Sequence, residues 1–141
     1  MMIDLIAHIA TSNGLADTVS KRALGIVLNG AERQGSPLAD IMFKKIPGAR
    51  VLAARTGDEI GAPTGEIARL VEQTPGGRRR VALSMISALQ EAGLDHKQIG
   101  TLLPSIGNWM QSVYGIKDFG HLGDLIGHAG EPSRREEVRA A

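Results

Sequence analysis

An all-α fold is predicted, a compact multi-helical array built from two similar broken-helix hairpins. Three observations carry it. Apolar residues return every three or four positions in each structured segment, the period of one helix face. Breaks containing glycine or proline separate those segments. Aromatic residues make up only 3% of the 141, so the core must be made of Leu, Ile, Val, Ala and Met. Such a core suits close helix packing better than a sandwich or barrel, where β-branched and aromatic side chains dominate.

The first segment, 2–11, carries Ile3, Leu5, Ile6 and Ile9 as its apolar stripe, and Ser12-Asn13-Gly14 supplies turn chemistry after it. A longer helix is predicted over 15–34, with Val19, Ala23, Ile26, Val27 and Ala31 near one face. Gly25 and Gly30 inside it cost about 1 kcal/mol each relative to alanine, a cost explained if a neighbouring element packs closely there. Ser36 reads as an N-cap, with Pro37 at the first position of the next helix. Leu38, Ile41, Met42 and Ile46 form that helix's stripe. Pro47-Gly48 breaks it, and 49–55 supplies the following arm.

The glycine-containing stretch 56–63 reads as a loop, and 64–73 as a short helix ended by Pro75-Gly76-Gly77. The stretch 82–115, ALSMISALQEAGLDHKQIGTLLPSIGNWMQSVYG, then repeats the grammar of 23–55 at a displacement set by Leu24/Leu83, Gly35/Gly93 and Pro47/Pro104. Val81, Leu83, Met85, Ile86 and Leu89 make its first apolar face. Gly93 stands where a left-handed C-terminal cap is wanted. Asp95 and Gln98 have the spacing of a capping box. Ile99, Leu102, Leu103 and Ile106 continue the stripe around Pro104, which starts a new helix or kinks the old one, and Trp109, Met110, Val113 and Tyr114 carry the apolar face on to Gly115. Leu103 and Trp109 are expected in the core. Beyond Gly115, the segment 116–128 holds Phe119, Leu122, Leu125 and Ile126 at helical spacing, and 129–141 is a charged tail expected to lack a fixed fold. One helical domain over 1–128 follows.

Charge and composition narrow the function. Sixteen basic against 15 acidic residues leave a formal charge of +1, less than a dedicated nucleic-acid binder usually carries. With no cysteine there is no disulfide framework, thiolate nucleophile or cysteine-based metal site. The first residues lack the basic leader of a signal peptide, and no apolar run reaches the roughly 20 residues needed to span a bilayer. A cytoplasmic protein is expected.

Candidate chemistry is sparse. His121, Asp124 and His128 fall at steps of three and four, a conceivable metal half-site, but that spacing is no specific zinc signature, and no metal or cofactor is expected. Arg78, Arg79 and Arg80 directly precede the helix of the second copy, where a helix N-terminus attracts anions; they are the anion-binding candidates. The run 88–102 has the outline of a helix-turn-helix, with His96, Lys97, Gln98 and Thr101 as polar residues able to meet phosphates or bases. Trp109 and Tyr114 are the candidates for anchoring a partner. No catalytic residue emerges: the carboxylates Asp40, Asp58, Glu59, Glu66 and Glu72 are scattered, without paired acid/base spacing.

The stretches LADIMFKKIPGARVLAA, ALQEAGLDHKQIGTLLPSIGNWMQSVYG and HLGDLIG together resemble the small bacterial proteins of the YidB-like group and their Vcg-type relatives. That resemblance spans residues 4–127 and implies an all-α protein with no assigned activity. The chain departs from it in carrying Arg78-Arg79-Arg80 and a charged helix where those relatives are glycine-rich. The expected function is therefore that of a non-enzymatic helical domain binding a protein or itself. The alternative is a nucleic-acid-binding accessory protein using the hairpin and the arginine cluster.

Overall fold

The computed structural model describes residues 2–34, 37–62 and 77–115. They form six helices: α1 (Met2–Asn13), α2 (Asp17–Arg33), α3 (Pro37–Lys45), α4 (Ala49–Ile60), α5 (Gly77–Glu91) and α6 (His96–Tyr114). No strand occurs among the described residues. The all-α architecture expected from the periodicity is present. The expectations for 64–73, 116–128 and the tail lie outside the described residues.

The core is organised around α2. It packs against α1, α3, α4 and α5, most extensively against α4. Every residue of 23–34 is buried, the mark of a helix enclosed on all sides. Such enclosure needs close approach, and the two internal glycines provide it. A Cβ built on Gly25 would lie 2.0 Å from Oγ1 and 2.8 Å from Cβ of Thr56 on α4; one on Gly30 would lie 2.7 Å from Sδ of Met85 on α5. The helix propensity lost at both positions is offset by packing that no larger residue would permit.

That contact also explains where α4 ends. Sequence patterning placed a loop from Thr56 onward, yet the helix continues through Thr56 and Gly57, both buried, to Ile60. Gly61 then caps it with φ 73°, donating its N–H to Asp58 O, while Ala62 N–H reaches Gly57 O at 2.7 Å. These are the two bonds of a Schellman motif. Propensity alone would have stopped the helix earlier; burial against Gly25 carries it on.

Proline acts differently in the two similar stretches. At Pro47-Gly48 the chain turns from α3 into α4, Gly48 taking φ 87°. At Pro104 the helix does not break, and α6 runs through it. The reason lies in the two faces of α6. Ile99, Leu102, Leu103, Ile106, Trp109 and Met110 are buried along one side, whereas Pro104 and Gly100 are exposed on the other. The carbonyl left without a donor by Pro104 belongs to Gly100, with open space beside it. Continuous burial outweighs one missing hydrogen bond on the wet side.

Three expected stripe residues prove exposed. Ile3 is 80% exposed, Leu83 44% and Val113, in the last turn of α6, 47%. In α1 the buried stripe steps by four through Leu5, Ile9 and Asn13, and in α5 through Val81, Met85 and Leu89. Ile3 and Leu83 each lie two positions from a stripe member, about 200° around the helix. Met42 and Ile46 of α3 are buried as expected; Ser36 and the Leu38 side chain lie outside the described residues.

Replacing Gly25 with alanine is expected to destabilise the protein by about 1–3 kcal/mol despite alanine's better helix propensity, because the methyl meets the Thr56 Cβ. Gly100→Ala, whose methyl enters open space, is expected to stabilise by about 0.5–1 kcal/mol. Urea denaturation of both variants checks the contrast; a stable Gly25→Ala would show that α4 need not approach so closely.

Candidate functional site

Four helix ends meet at one corner of the molecule. The side chain of Met2, at the start of α1, reaches Gly48, its Cε 3.7 Å from where a Cβ would stand. From the end of α6, the Tyr114 hydroxyl donates to the carbonyl of Lys45, the last residue of α3, at 3.1 Å. Gly48 leads directly into α4. The corner therefore joins the N-termini of α1 and α4 to the C-termini of α3 and α6. Tyr114 holds it together, since Lys45 O is a helix-end carbonyl without a partner inside α3.

Both aromatic anchor candidates sit here. Trp109 is 7% exposed and belongs to the core cluster with Leu103, as expected for these two. Tyr114 is half-buried and meets Trp109 edge to face, centroids 5.7 Å apart at 78°. Lys45 Nζ lies 6.0 Å from the Tyr114 ring centroid, at the outer limit of a cation–π contact. In this chain alone, the indole faces inward and the phenol is engaged within the fold. The exposed large apolar residues in the terminal turns of α1, α4 and α6 are others: Ile3, Val51 at 61% exposed and Val113 at 47%. On the adjoining turns Lys44, Lys45, Pro47 and Arg50 are exposed, as is Asp4 beside Ile3. Arg50 stacks over Phe43, 4.5 Å from the ring centroid, and its Nη1 lies 3.4 Å from the buried Glu32 carboxylate. Because Arg50 is largely solvated, that pair contributes little to stability.

The opposite end of the α1–α6 pair is closed by a polar hub at Asn13. Its Nδ2 donates to Ile9 O at 2.9 Å and to Ser105 Oγ at 3.1 Å. Thr101 Oγ1 donates to Asn13 Oδ1 at 2.6 Å, and Gln98 Nε2 to Asn13 O at 3.0 Å. Gln98 also completes the capping box: its N–H donates to Asp95 Oδ1 at 2.8 Å and its Oε1 accepts from Asp95 N–H at 2.9 Å. Gly93, at φ 111°, sets the turn that delivers Asp95 to the start of α6. Two of the four polar residues of the helix-turn-helix outline, Gln98 and Thr101, thus serve the fold; His96 and Lys97 remain exposed.

The arginine cluster lies inside α5 rather than before it, since that helix begins at Gly77. Arg80 is exposed in its first turn, and the side chains of Arg78 and Arg79 lie outside the described residues, as do His121, Asp124 and His128. Positive charge there opposes the helix dipole. Among the described residues no group of three His, Asp or Glu could hold a metal ion, and no helix is long and apolar enough to cross a membrane.

Sequence reasoning missed Asn13 as a hub and Arg33 as a buried cation. Asn13 read as a turn residue, although its place four after Ile9 in the stripe was a usable signal. Arg33, in the last turn of α2, is 7% exposed; its Nη1 donates to Asn29 Oδ1 at 3.5 Å and its Nε–H has no partner. Burial lowers its pKa from the usual arginine value, because the charged form loses hydration. No spacing rule distinguishes it from a solvated arginine at a helix C-terminus.

Comparison with known proteins gives no match to a family model, a curated protein or a solved structure, and so nothing that identifies the YidB-like group.

Asn13→Ala is expected to cost about 1–3 kcal/mol, since it removes the side-chain bonds to Ile9 O, to the buried Ser105 Oγ and from Thr101 Oγ1, while the bond from Gln98 to the main-chain carbonyl stays. Thermal or urea unfolding checks this, and a loss below a few tenths of a kcal/mol would mean that solvent replaces the hub.

Proposed function

We propose that this chain is a non-enzymatic helical domain that works by associating with a protein surface, through the corner where α1, α3, α4 and α6 meet. One observation carries the reading. Ile3, Val51 and Val113 are the exposed large apolar side chains of three helices whose ends are tied to that corner through Met2, Gly48 and Tyr114. Exposed apolar groups on neighbouring helix ends are costly to hydrate and gain by being covered. The fourth such residue, Leu83, stands on α5, which packs chiefly against α2 and α6.

Charge favours an acidic partner. Lys44, Lys45 and Arg50 are exposed on the turns that meet there, against the single carboxylate of Asp4 beside Ile3, and Arg50 already pairs with Glu32. A helix or loop with an apolar face and flanking carboxylates would match both features, the charges steering the encounter and the apolar contacts holding it. A second copy of the chain is the other partner that this reading admits. Nucleic-acid binding draws less support, since Gln98 and Thr101 are occupied by Asn13.

The triple variant Ile3→Asp, Val51→Asp, Val113→Asp is expected to keep the wild-type melting temperature within a few degrees, because all three side chains are exposed. It is expected to lose concentration-dependent self-association in sedimentation velocity, or capture of the partner that wild type retains in pull-down. Equal association by wild type and variant would remove the corner as the interface. Tight, salt-sensitive binding of duplex DNA that disappears when Arg78, Arg79 and Arg80 become alanine would replace this reading with the nucleic-acid one.

A further inference from the structure

The end of α2 is unusually polar for a buried segment. Asn29, Glu32, Arg33 and Gln34 are 0%, 7%, 7% and 3% exposed, half of the buried polar residues among those described. Their charges do not balance locally. Glu32 is engaged by Arg50, on another helix and largely in solvent. Arg33 has no carboxylate paired with it among the described residues. Its Nη1 makes a bond at the 3.5 Å limit to a neutral amide, and its Nε–H makes none. The negative end of the α2 dipole offsets part of the charge.

A guanidinium has five N–H donors, stays protonated at every physiological pH, and offers two of them side by side along its Nε edge. That edge fits two oxygens of one carboxylate or phosphate group. Leaving such a group buried and unsatisfied costs free energy, and proteins tolerate it chiefly where a bound water, an ion or a functional role accounts for it. The open Nε–H and the missing counter-charge point the same way. A water molecule would satisfy the hydrogen bond but not the charge.

We propose that Arg33 anchors a binding site for a small oxyanion, a carboxylate or phosphate group whose oxygens take the Nε–H. Asn29 Oδ1 accepts a long bond from Nη1 on the side of the guanidinium away from that edge. Through Glu32 the site adjoins Arg50 of the corner proposed for protein association, but its test stands or falls independently of that reading.

Titration of the wild-type protein with inorganic phosphate, and separately with acetate, at constant ionic strength made up with chloride, tests this directly. The Arg33 Nε–Hε resonance in a nitrogen–proton correlation spectrum is expected to shift in a saturable way, and the melting temperature to rise with the same concentration dependence. The variant Arg33→Met, which keeps an apolar stem without the charge, is expected to lose that saturable rise. Arg55→Met, at an exposed arginine of α4, is expected to keep it. Phosphate acting alone would assign the site to phosphate groups, and acetate acting alone to carboxylates. A rise of equal size in wild type and Arg33→Met, without a saturable Nε–Hε shift, would mean an adventitious ion only and overturn the proposal. No response to either anion in the wild-type spectrum would overturn it as well, whatever the fate of the variant.

Discussion

The close approach of α4 to α2 at Gly25 and Thr56 is the constraint on which the rest of this structure depends. A helix buried over twelve consecutive positions, 23–34, must be covered on every side by neighbours of limited size. Helix axes usually pack 8–10 Å apart, the distance being set by the side chains at the contact. Where the residue is glycine the partner can come nearer, and dispersion contacts multiply over the whole interface. Thr56 fills the place that a Cβ of Gly25 would take, and Met85 does the same at Gly30. With both filled, α4 and α5 lie against the central helix, while α1 and α3 cover other parts of it.

Around that core the ends of helices are secured by polar bonds between distant parts of the chain. Asn13 joins the end of α1 to the first turns of α6, across sequence separations of 85, 88 and 92. Tyr114 joins the end of α6 to the end of α3 across 69. Each bond contributes only about 1 kcal/mol net, since water competes for the same groups. Their larger effect is on register. α6 cannot slide along α1 without leaving buried amide and hydroxyl groups unpaired, and that penalty exceeds the gain from making them. The apolar stripe of α6 is thereby held against the core even where Pro104 removes a hydrogen bond.

Two features of the described residues stand apart from the packing of the core. Ile3, Val51 and Val113 are exposed apolar residues in helix-terminal turns, and the end of α2 has a buried positive charge. Neither feature contributes to folding stability. Ile3, Val51 and Val113 leave much of their apolar surface in water, and a desolvated guanidinium without a carboxylate opposes folding, in line with the lowering of its pKa by burial. The sign is direct: depressing the pKa of a base penalises its charged form, so the cost persists at every pH below that pKa.

The sequence by itself determined the class of fold, the principal helices and several of their ends. Period and composition select an all-α core, and local chemistry sets the caps: Asp95 with Gln98, Gly93, and Pro37 at the first position of α3. Those features rest on neighbours within about four residues, which a linear reading contains. What only the tertiary structure decided depended on partners far away in the chain. Ile3 and Leu83 look apolar enough for a core, but their angular position put them outside it. Pro104 and Pro47 have the same intrinsic effect, and only the burial of Trp109 and Met110 beyond the first carries α6 straight through. Thr56 and Gly57 read as loop residues until Gly25 is placed beside them. Asn13 and Arg33 follow the same rule, because whether a polar side chain is solvated, satisfied or stranded is fixed by what packs over it, and that is not written at its own position.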